Sequence, residues 1–423
     1  MARSLRTYVL LLFFCLGSCP QTLILAQGQQ TPAPLNPATP ATTNPATPTP
    51  TNPARPGATN KKVVEPPLAG LLPSEQAWLV ALPFPPSAPA AMDDQRVYAP
   101  MQGEHFIALN RETGETAWMV DVESEWAPLV HDGVVYIAAS DEVHAFDAAT
   151  GDRIWRAPFG RGPMAALAWS QDVLIALVTP DELWAIRPTD GQRLWSQALG
   201  GSGEAARMAI DAGRIFVAIG SRLVRVDQTD GKIRWDRTLP GTLSAPTVAR
   251  DRVLAGSTSN EIYALNQDDG GVAWSFKTGG DVIGSAADDD VVYAASFDNV
   301  LRALKRSNGN QLWKQALTTR PAAPPRAFGG IVVVPGISPP LATFNAKTGA
   351  PLATFDVVPE LQRAKFLAPA LIAPTLKPFT VSLVMLTSDG RATGHKSVAM
   401  LFREQPLAPL IALPGRPLTR EQR

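Results

Sequence analysis

A short pattern of hydrophobic and polar residues recurs seven times along the chain. Two apolar positions flank one residue, a polar residue follows, Gly stands four residues later, and Trp usually stands four residues after the Gly. The copies read IALNRETGETAW, HAFDAATGDRIW, WAIRPTDGQRLW, VRVDQTDGKIRW, YALNQDDGGVAW, RALKRSNGNQLW and ATFNAKTGAPLA. Their glycines are 37 to 40 residues apart, namely Gly114, Gly151, Gly191, Gly231, Gly270, Gly309 and Gly349. A fixed period of this length indicates a solenoid or a propeller.

Each repeat has the composition of short strands, which favours the propeller. In the unit around Gly270 we predict strands over 244–248, 252–257, 262–266 and 272–276, with turn residues between them. The repeated Gly falls in the turn between the third and fourth strands, where a positive φ is needed. The repeated tryptophans begin the fourth strand and are expected to lie across the boundary with the next blade. They are Trp118, Trp155, Trp195, Trp235, Trp274 and Trp313.

The spacing of one further tryptophan predicts how the ring closes. Trp78 precedes Trp118 by 40 residues, so residues 77–82 are in register with an outer strand, although no inner strands come before them. At the other end, residues 366–373, 381–387 and 391–400 can supply strands but contain no Gly-x-x-x-Trp. We therefore predict an all-β, eight-bladed propeller of four-stranded antiparallel blades, in which the strand around Trp78 completes the last blade. Seven blades with a C-terminal cap is the alternative.

Composition restricts the class of protein. The chain has 423 residues with 38 Lys and Arg against 38 Asp and Glu, so its formal net charge is zero, which disfavours a nucleic-acid partner. Hydrophobic residues make up 45% and charged residues 18%, a balance typical of neither a highly charged disordered chain nor a membrane bundle. The chain should fold around a large core.

The N-terminal residues have the features of an export signal. Arg3 and Arg6 precede an apolar run over residues 8–16, which is too short to span a bilayer, so we interpret residues 1–26 as a signal peptide. The sequence Leu16-Gly17-Ser18-Cys19 is similar to the lipobox of bacterial lipoproteins, which implies cleavage before Cys19 and lipidation of that residue. Two or more acyl chains would anchor the protein stably. The alternative is cleavage after Ala26, which discards Cys19.

Two further segments flank the repeats. Residues 27–66 are predicted to form a Pro/Thr-rich disordered tether, since residues 29–60 contain nine prolines, eight threonines and six alanines. The propeller is assigned to residues 67–402, and residues 403–423 form a Pro-rich C-terminal tail with no repeat register. The tether would let the folded body stand away from a membrane.

Few residues carry catalytic or metal-binding chemistry. Cys15 and Cys19 are the only cysteines, so the rest of the chain can form neither a disulfide nor a thiolate metal site. The four histidines show no metal-ligand spacing. The acidic run 288–290 matches residues 131–133 in the repeat register, and we therefore expect it to be a solvated turn between the first and second strands.

The phrase A-x-[DN]-x-x-[TD]-G-x-x-x-W, present as AFDAATGDRIW and ALNQDDGGVAW, resembles the repeat of the pyrroloquinoline-quinone-type β-propellers. The resemblance covers about residues 74–402. This superfamily contains large quinoprotein dehydrogenases and smaller non-catalytic propellers, of which the BamB group serves outer-membrane β-barrel assembly. A single exported propeller without cysteines in the repeats looks like the second group.

The resemblance implies a non-catalytic protein-binding scaffold with no cofactor and no metal. Its partner would be an envelope protein, with the outer-membrane barrel-assembly protein as the candidate, and the chain would act as a monomer within a larger complex. The protein would lie at the periplasmic face of the outer membrane if lipidated, and otherwise be periplasmic or secreted. A binding or sensing propeller with another envelope partner is one alternative. A quinone-dependent dehydrogenase is another, but such enzymes of this fold use a disulfide between adjacent cysteines, which this chain cannot form.

A binding propeller should use the loops of one rim. The resemblance implies partner contacts in loops 198–205 and 239–244, which offer Leu199, Glu204, Leu239 and Leu243. The Arg and the pair of aspartates that the group uses there are absent from both loops, so its contact residues are not carried over individually. Trp126 lies outside the repeat register in loop 122–128, where an exposed aromatic ring could anchor a partner, or pack against the neighbouring loop.

Overall fold

The computed structural model describes residues 74–139, 141–158, 164–178, 181–201, 207–337, 341–354, 359–361, 364–371 and 380–397. The chain divides into two units, Met1–Val63 and Val64–Arg423. The predicted signal peptide with Cys19, the tether and the C-terminal tail lie outside the described residues. The propeller belongs to the second unit.

Eight four-stranded antiparallel sheets form the propeller. The first strand, β1 (Ser74–Ala81), is followed by blade 1 with β2 (Ala91–Met92), β3 (Arg96–Met101), β4 (His105–Asn110) and β5 (Thr116–Asp121). Blade 2 has β6 (Leu129–His131), β7 (Val134–Ala138), β8 (Glu142–Asp147) and β9 (Arg153–Pro158). Blade 3 has β10 (Met164–Ser170), β11 (Val173–Val178), β12 (Glu182–Ile186) and β13 (Arg193–Ala198). Blade 4 has β14 (Arg207–Asp211), β15 (Arg214–Ile219), β16 (Arg222–Asp227) and β17 (Ile233–Thr238).

The second half of the ring repeats this order. Blade 5 has β18 (Thr247–Ala249), β19 (Arg252–Ser257), β20 (Glu261–Asn266) and β21 (Val272–Lys277). Blade 6 has β22 (Val282–Ala287), β23 (Val291–Ser296), β24 (Val300–Lys305) and β25 (Gln311–Ala316). Blade 7 has β26 (Arg326–Phe328), β27 (Ile331–Pro335), β28 (Leu341–Asn345) and β29 (Pro351–Thr354), and a short 3-10 helix, Pro359–Leu361, follows. Blade 8 has β30 (Ala370–Leu371), β31 (Val381–Thr387), β32 (Arg391–Ser397) and, as its outer strand, β1.

The hydrophobic core lies in the seams, the contact surfaces between adjacent blades. The second and third strands are buried on both faces, as in β11 and β12, and read as nearly continuous apolar runs. Leu177 of blade 3 and Val217 of blade 4, for example, are fully buried in one cluster. Outer strands instead alternate buried and exposed residues, because successive side chains point to opposite faces of the blade and one of these faces is solvated there. Each blade is therefore stabilised by its two neighbours.

A repeated contact between Trp and Gly joins neighbouring blades at seven of the eight seams. The Gly of the turn after the third strand has φ between 68° and 78° in all seven repeats, and a Cβ added there would lie 2.6 to 2.8 Å from the indole of the preceding blade. That indole Nε1 donates a hydrogen bond of 2.7 to 3.1 Å to a carbonyl of the same turn. The pairs are Trp78–Gly114, Trp118–Gly151, Trp155–Gly191, Trp195–Gly231, Trp235–Gly270, Trp274–Gly309 and Trp313–Gly349.

A β-bulge precedes each of these tryptophans. In blade 1, Trp118 pairs with Ala108, whereas Thr116 pairs with Leu109, which leaves Ala117 as an extra residue. Corresponding register shifts occur in the outer strands of the other blades. Because a bulge re-aims the side chain that follows it, the indole turns toward the next blade.

The N-terminal strand closes the ring. β1 pairs with β32, and the indole of Trp78 donates to the carbonyl of Arg111 in blade 1 at 2.8 Å. The hydroxyl of Thr393 donates to the carbonyl of Trp78 at 3.2 Å. Eight blades and closure through Trp78 are thus confirmed, and the alternative of seven blades with a cap is excluded.

One seam lacks the tryptophan–glycine contact. Ala353 takes the Trp position in the outer strand of blade 7. Blade 8 has no turn between its third and outer strands, because β32 and β1 come from opposite ends of the described chain. The seam between blades 7 and 8 is held by a cluster of five buried side chains from Ile331, Val333, Leu341, Leu383 and Met385.

Candidate functional site

Two faces of the propeller follow from the order of its strands. We call upper the face that carries the turns between second and third strands and the loops from each outer strand to the next inner strand. The lower face carries the turns between first and second strands and the repeated Gly turns. The loops that the sequence suggested as partner contacts all lie on the upper face.

The lower-face acidic run 288–290 forms the turn between β22 and β23, as the repeat register predicted. The Asp288 carboxylate accepts hydrogen bonds from the backbone N–H groups of Asp290 and Val291 and from the Tyr293 hydroxyl. Burial and the bond to Asp288 raise the pKa of Tyr293. Asp289 forms an ion pair with Arg250 at 2.9 Å. These carboxylates are engaged in the turn and its neighbours.

Trp126 packs inward instead of standing free on the upper face. Its ring is half-buried and lies against hydrophobic clusters of blades 2 to 4. The Ser124 hydroxyl accepts a hydrogen bond from the N–H of Trp126 at 3.2 Å and donates one to the carbonyl of Ala138 at 2.8 Å. The flanking Glu123 and Glu125 are exposed. This loop therefore presents carboxylates to solvent and uses Trp126 to hold its own position.

The three leucines suggested as partner contacts lie in the seams. Leu199 is 3% exposed in the cluster between blades 3 and 4, and Leu239 and Leu243 are 7% and 2% exposed in the cluster between blades 4 and 5. Glu204 lies outside the described residues. Burial of these leucines leaves Gly200, Gly201 and residues 240–242 to form the exposed surface of the two loops.

An arginine that sequence reasoning missed stands beside loop 198–201. Arg222 opens the third strand of blade 4, and its guanidinium donates to the carbonyls of Leu199 and Gly200 and pairs with Asp236. The pairing with Asp236 raises the pKa of Arg222. The loop thus acquires a cation from the neighbouring blade. No motif within the loop could show this, since the two segments are 22 residues apart and meet only in the folded ring.

Charge on the upper face differs between blades. Over blades 1 and 2, the carboxylates of Glu104, Glu123, Glu125 and Asp141 are exposed, and within the described part of the chain none of them forms a salt bridge. Nearby, His144 lies 3.2 Å from Glu142, yet burial lowers the pKa of His144 despite the opposing effect of that carboxylate. This sector is therefore acidic at neutral pH.

The central channel contains a recess of about 410 Å³ on the side of blades 5 to 7. Its lining includes Thr247, Ser285 and Arg326, with alanines, a proline and Phe328, but no carboxylate or imidazole. Nowhere in the described ranges do three or more His, Cys, Asp or Glu residues come together as metal ligands. The recess does not fit a quinone with its calcium ion, because calcium needs several converging oxygen ligands.

The fold and its repeated Gly turns define a pyrroloquinoline-quinone-type β-propeller. The sequence profile of one family, described as outer membrane protein assembly factor BamB, matches residues 73–207, 181–321 and 277–404. These matches together cover more than half of the chain, and the chain belongs to this family. Curated proteins, in contrast, include no significant sequence match.

Solved structures show the same architecture. BamB from Moraxella catarrhalis superposes with a TM-score of 0.61 at 17% identity and covers 76% of this chain and 99% of its own. The computationally designed Ika8 protein gives 0.64 at 16% identity, covering 77% of this chain and 100% of its own. Saccharomyces cerevisiae Sqt1 gives a TM-score of 0.65 at 11% identity, covering 77% of this chain and 99% of its own. At these identities the likeness establishes the fold alone. Among the described residues, no helix is long and apolar enough to cross a membrane.

Proposed function

We propose that this chain is an exported, non-catalytic propeller that binds other proteins as a scaffold in outer-membrane β-barrel assembly. The observation that carries the proposal is the match to the BamB family across all eight blades. We also propose that residues 1–26 direct export and that Cys19 carries the lipid that anchors the chain to the periplasmic face of the outer membrane.

Under this proposal the upper face supplies the binding surface. It combines an acidic sector over blades 1 and 2 with loops 198–201 and 239–244, whose leucines are fixed in the seams. Arg222 ties loop 198–201 to blade 4. A rigid rim of this kind presents a partner with a preformed surface, which lowers the entropy lost on binding.

In-cell crosslinking of a tagged, natively exported copy tests the proposal. We expect an outer-membrane barrel-assembly protein to be enriched and its enrichment to fall when the exposed residues 240–242 and Gly200 are changed. A matched copy changed on the lower face, at Asp289, serves as the control and should retain the partner. Enrichment of a different envelope protein without any barrel-assembly protein would contradict the assembly role and favour a scaffold with another envelope partner.

A further inference from the structure

Two large apolar side chains stand exposed on the upper face of blades 6 and 7. Ile337 follows the second strand of blade 7 and is 60% exposed, more than any other large hydrophobic residue that the structure describes. Phe297, in the corresponding turn of blade 6, is 38% exposed. The guanidinium of Arg320 lies over the Phe297 ring, 4.2 Å from its centre. We call Phe297, Arg320 and Ile337 the apolar–cationic patch.

The backbone holds this patch in place. The N–H of Ile337 donates to the carbonyl of Arg320 at 3.2 Å and to the hydroxyl of Thr319 at 3.1 Å. The N–H of Phe297 donates to the carbonyl of Asp281 at 2.9 Å. Because these hydrogen bonds fix the backbone at Ile337 and at Phe297, the exposure of the two apolar side chains follows from the fold.

The patch continues into a recess at the seam between blades 7 and 8. Gly336, directly before Ile337, lines the recess with Pro335, Phe366, Leu367 and Met385, and its volume is about 70 Å³. This seam is the one without a tryptophan–glycine contact. A recess of this size is far smaller than the several hundred Å³ of an organic cofactor site and admits one or two side chains.

Two cations at the patch form no salt bridge. Arg320 and Lys365 are exposed, and in the part of the chain that the structure describes neither of them forms a salt bridge. Two carboxylates of this region are engaged, since Asp298 pairs with Arg302 and Asp389 with Arg391, while in the described residues Asp281 and Glu360 form no salt bridge. Although burial opposes it, hydrogen bonds from Arg302 and Ser296 keep the pKa of Asp298 low, so this pair stays ionised.

We propose that the apolar–cationic patch and the recess beside it bind an extended segment of a partner protein that carries apolar side chains and a carboxylate. The proposal rests on the proposed scaffold function and adds to loops 198–201 and 239–244 a second contact, on blades 6 to 8. An apolar side chain of the partner fills the recess, a second covers Ile337 and Phe297, and the carboxylate pairs with Arg320. The acidic sector over blades 1 and 2 repels the carboxylate of the same segment. The segment therefore binds at blades 6 to 8 and not at blades 1 and 2.

Two synthetic peptides test the chemistry of this surface. One alternates Leu or Phe with Asp over twelve residues, and its twin has Lys in place of Asp; both carry a fluorophore, and anisotropy reports binding to the full mature chain at low salt. We expect the acidic peptide to bind, and its affinity to fall at least tenfold in Arg320→Glu, since charge complementarity at the patch favours a carboxylate. The Lys twin, which the acidic sector over blades 1 and 2 attracts, should keep its affinity in that variant. An equal loss of affinity for both peptides in Arg320→Glu would overturn the proposal.

Matched substitutions locate the site. Ile337→Asp and Arg320→Glu should each weaken the acidic peptide roughly tenfold or more. Met119→Asp is the control, because Met119 is 47% exposed on the outer strand of blade 1. Circular dichroism melting of all three variants verifies that they fold. An equal loss of binding in the Met119 variant would show non-specific apolar binding and would overturn the assignment.

Photocrosslinking in cells separates this inference from the proposed function. A photoreactive residue is placed singly at Ile337, at Glu125 and at Gly200. A crosslinked partner from Ile337 supports the patch. Partners from Glu125 or Gly200 alone would overturn the patch while the scaffold function stands. Crosslinks from none of the three positions would count against both.

Discussion

Each repeated glycine is required for two physical reasons that can be measured apart. Gly231 has a φ of 69°, and a Cβ there would lie 2.8 Å from the Trp195 ring, whereas Gly133 has a φ of 76° with nothing within 4 Å of an added Cβ. Gly133→Ala should therefore cost about 1 kcal/mol through backbone strain alone. Gly231→Ala should cost roughly 3 kcal/mol, because the indole must also shift.

Urea unfolding of both variants measures the difference. The two substitutions share the same change in side chain and a similar φ, so the excess loss in Gly231→Ala reports the contact with Trp195. Equal losses would mean that the tryptophan–glycine contact contributes nothing beyond the turn itself.

At the residue scale, the sequence predicted the repeat contacts, but it did not show that the three leucines suggested as partner contacts are buried. The period placed Gly and Trp at the same points of every unit, so their turn and strand positions could be read directly. Leu199, Leu239 and Leu243 are buried because each loop inserts its leucine into the adjacent seam. A loop sequence does not show which side of the loop faces the ring. The contact of Arg222 with loop 198–201 could not be predicted for a related reason, since this arginine reaches the loop from another blade.

His395 in the closing blade makes stability depend on pH. It is 5% exposed, and burial lowers its pKa to about 4 from an ordinary 6.5. Between these values the unfolded chain binds a proton that the folded chain does not, so stability falls as pH falls through this window and is fully present above pH 6.5. The slope from this group is at most about 1.4 kcal/mol per pH unit.

His395→Gln should remove this share of the slope. Urea unfolding of the natural chain and the variant at several pH values between 4.5 and 7.5 gives two curves, and subtraction cancels the carboxylates common to both. The difference between the curves should shrink as the pH is lowered. Parallel curves would show that His395 titrates alike in the folded and unfolded chain.

At the scale of the blade, the seam between blades 7 and 8 should be the first to open. It lacks the indole hydrogen bond and the Trp–Gly packing, and its buried cluster has five members. Seam 4–5, in contrast, has the Trp235 bond to the carbonyl of Gln267 at 2.8 Å. Native-state hydrogen exchange should therefore give faster exchange in β28 and β31 than in β16 and β20, which occupy comparable buried positions. Equal protection would contradict this order.

Strand positions in the repeats followed from the sequence because period and turn residues agree there. Three predicted strands of blade 5 match β19, β20 and β21 to within one residue at each end. The inner strand was predicted at 244–248, but β18 runs over Thr247–Ala249. Inner strands line the channel and pair along one edge only, so the residues at which they begin and end depend on contacts with neighbouring blades. The sequence of one repeat does not show these contacts.

At the scale of the whole molecule, attachment to the membrane should depend on the sulfur atom of Cys19, the proposed site of lipidation. If the Cys19 thiol carries the lipid, Cys19→Ser removes the acceptor of the acyl chains and should release the protein into the soluble periplasmic fraction. Fractionation of cells with and without the substitution tests this. Cys15→Ser, within the same predicted signal, is the matched control and should stay with the membrane. Membrane retention of the Cys19 variant would contradict lipidation.

The eight-bladed ring and its closure could be predicted because Trp78 lies 40 residues before Trp118. The difference in charge between blades on the upper face could not be predicted, since it arises from loops that the fold brings together from distant repeats. The apolar–cationic patch is an example: Phe297, Arg320 and Ile337 meet only because adjacent blades point their turns the same way. The binding surface of this propeller is therefore formed by loops of several blades together, and the sequence of a single repeat does not show it.

Direct binding between purified proteins tests the central claim, that this propeller is a scaffold for barrel assembly. Isothermal titration of the full mature chain with the periplasmic domains of the barrel-assembly protein should give a one-to-one complex with a dissociation constant of about 10 µM or tighter. Changes at the exposed residues 240–242 should weaken it, and Met119→Asp should not. The absence of binding at about 100 µM of each protein, with both shown to be folded, would contradict the claim.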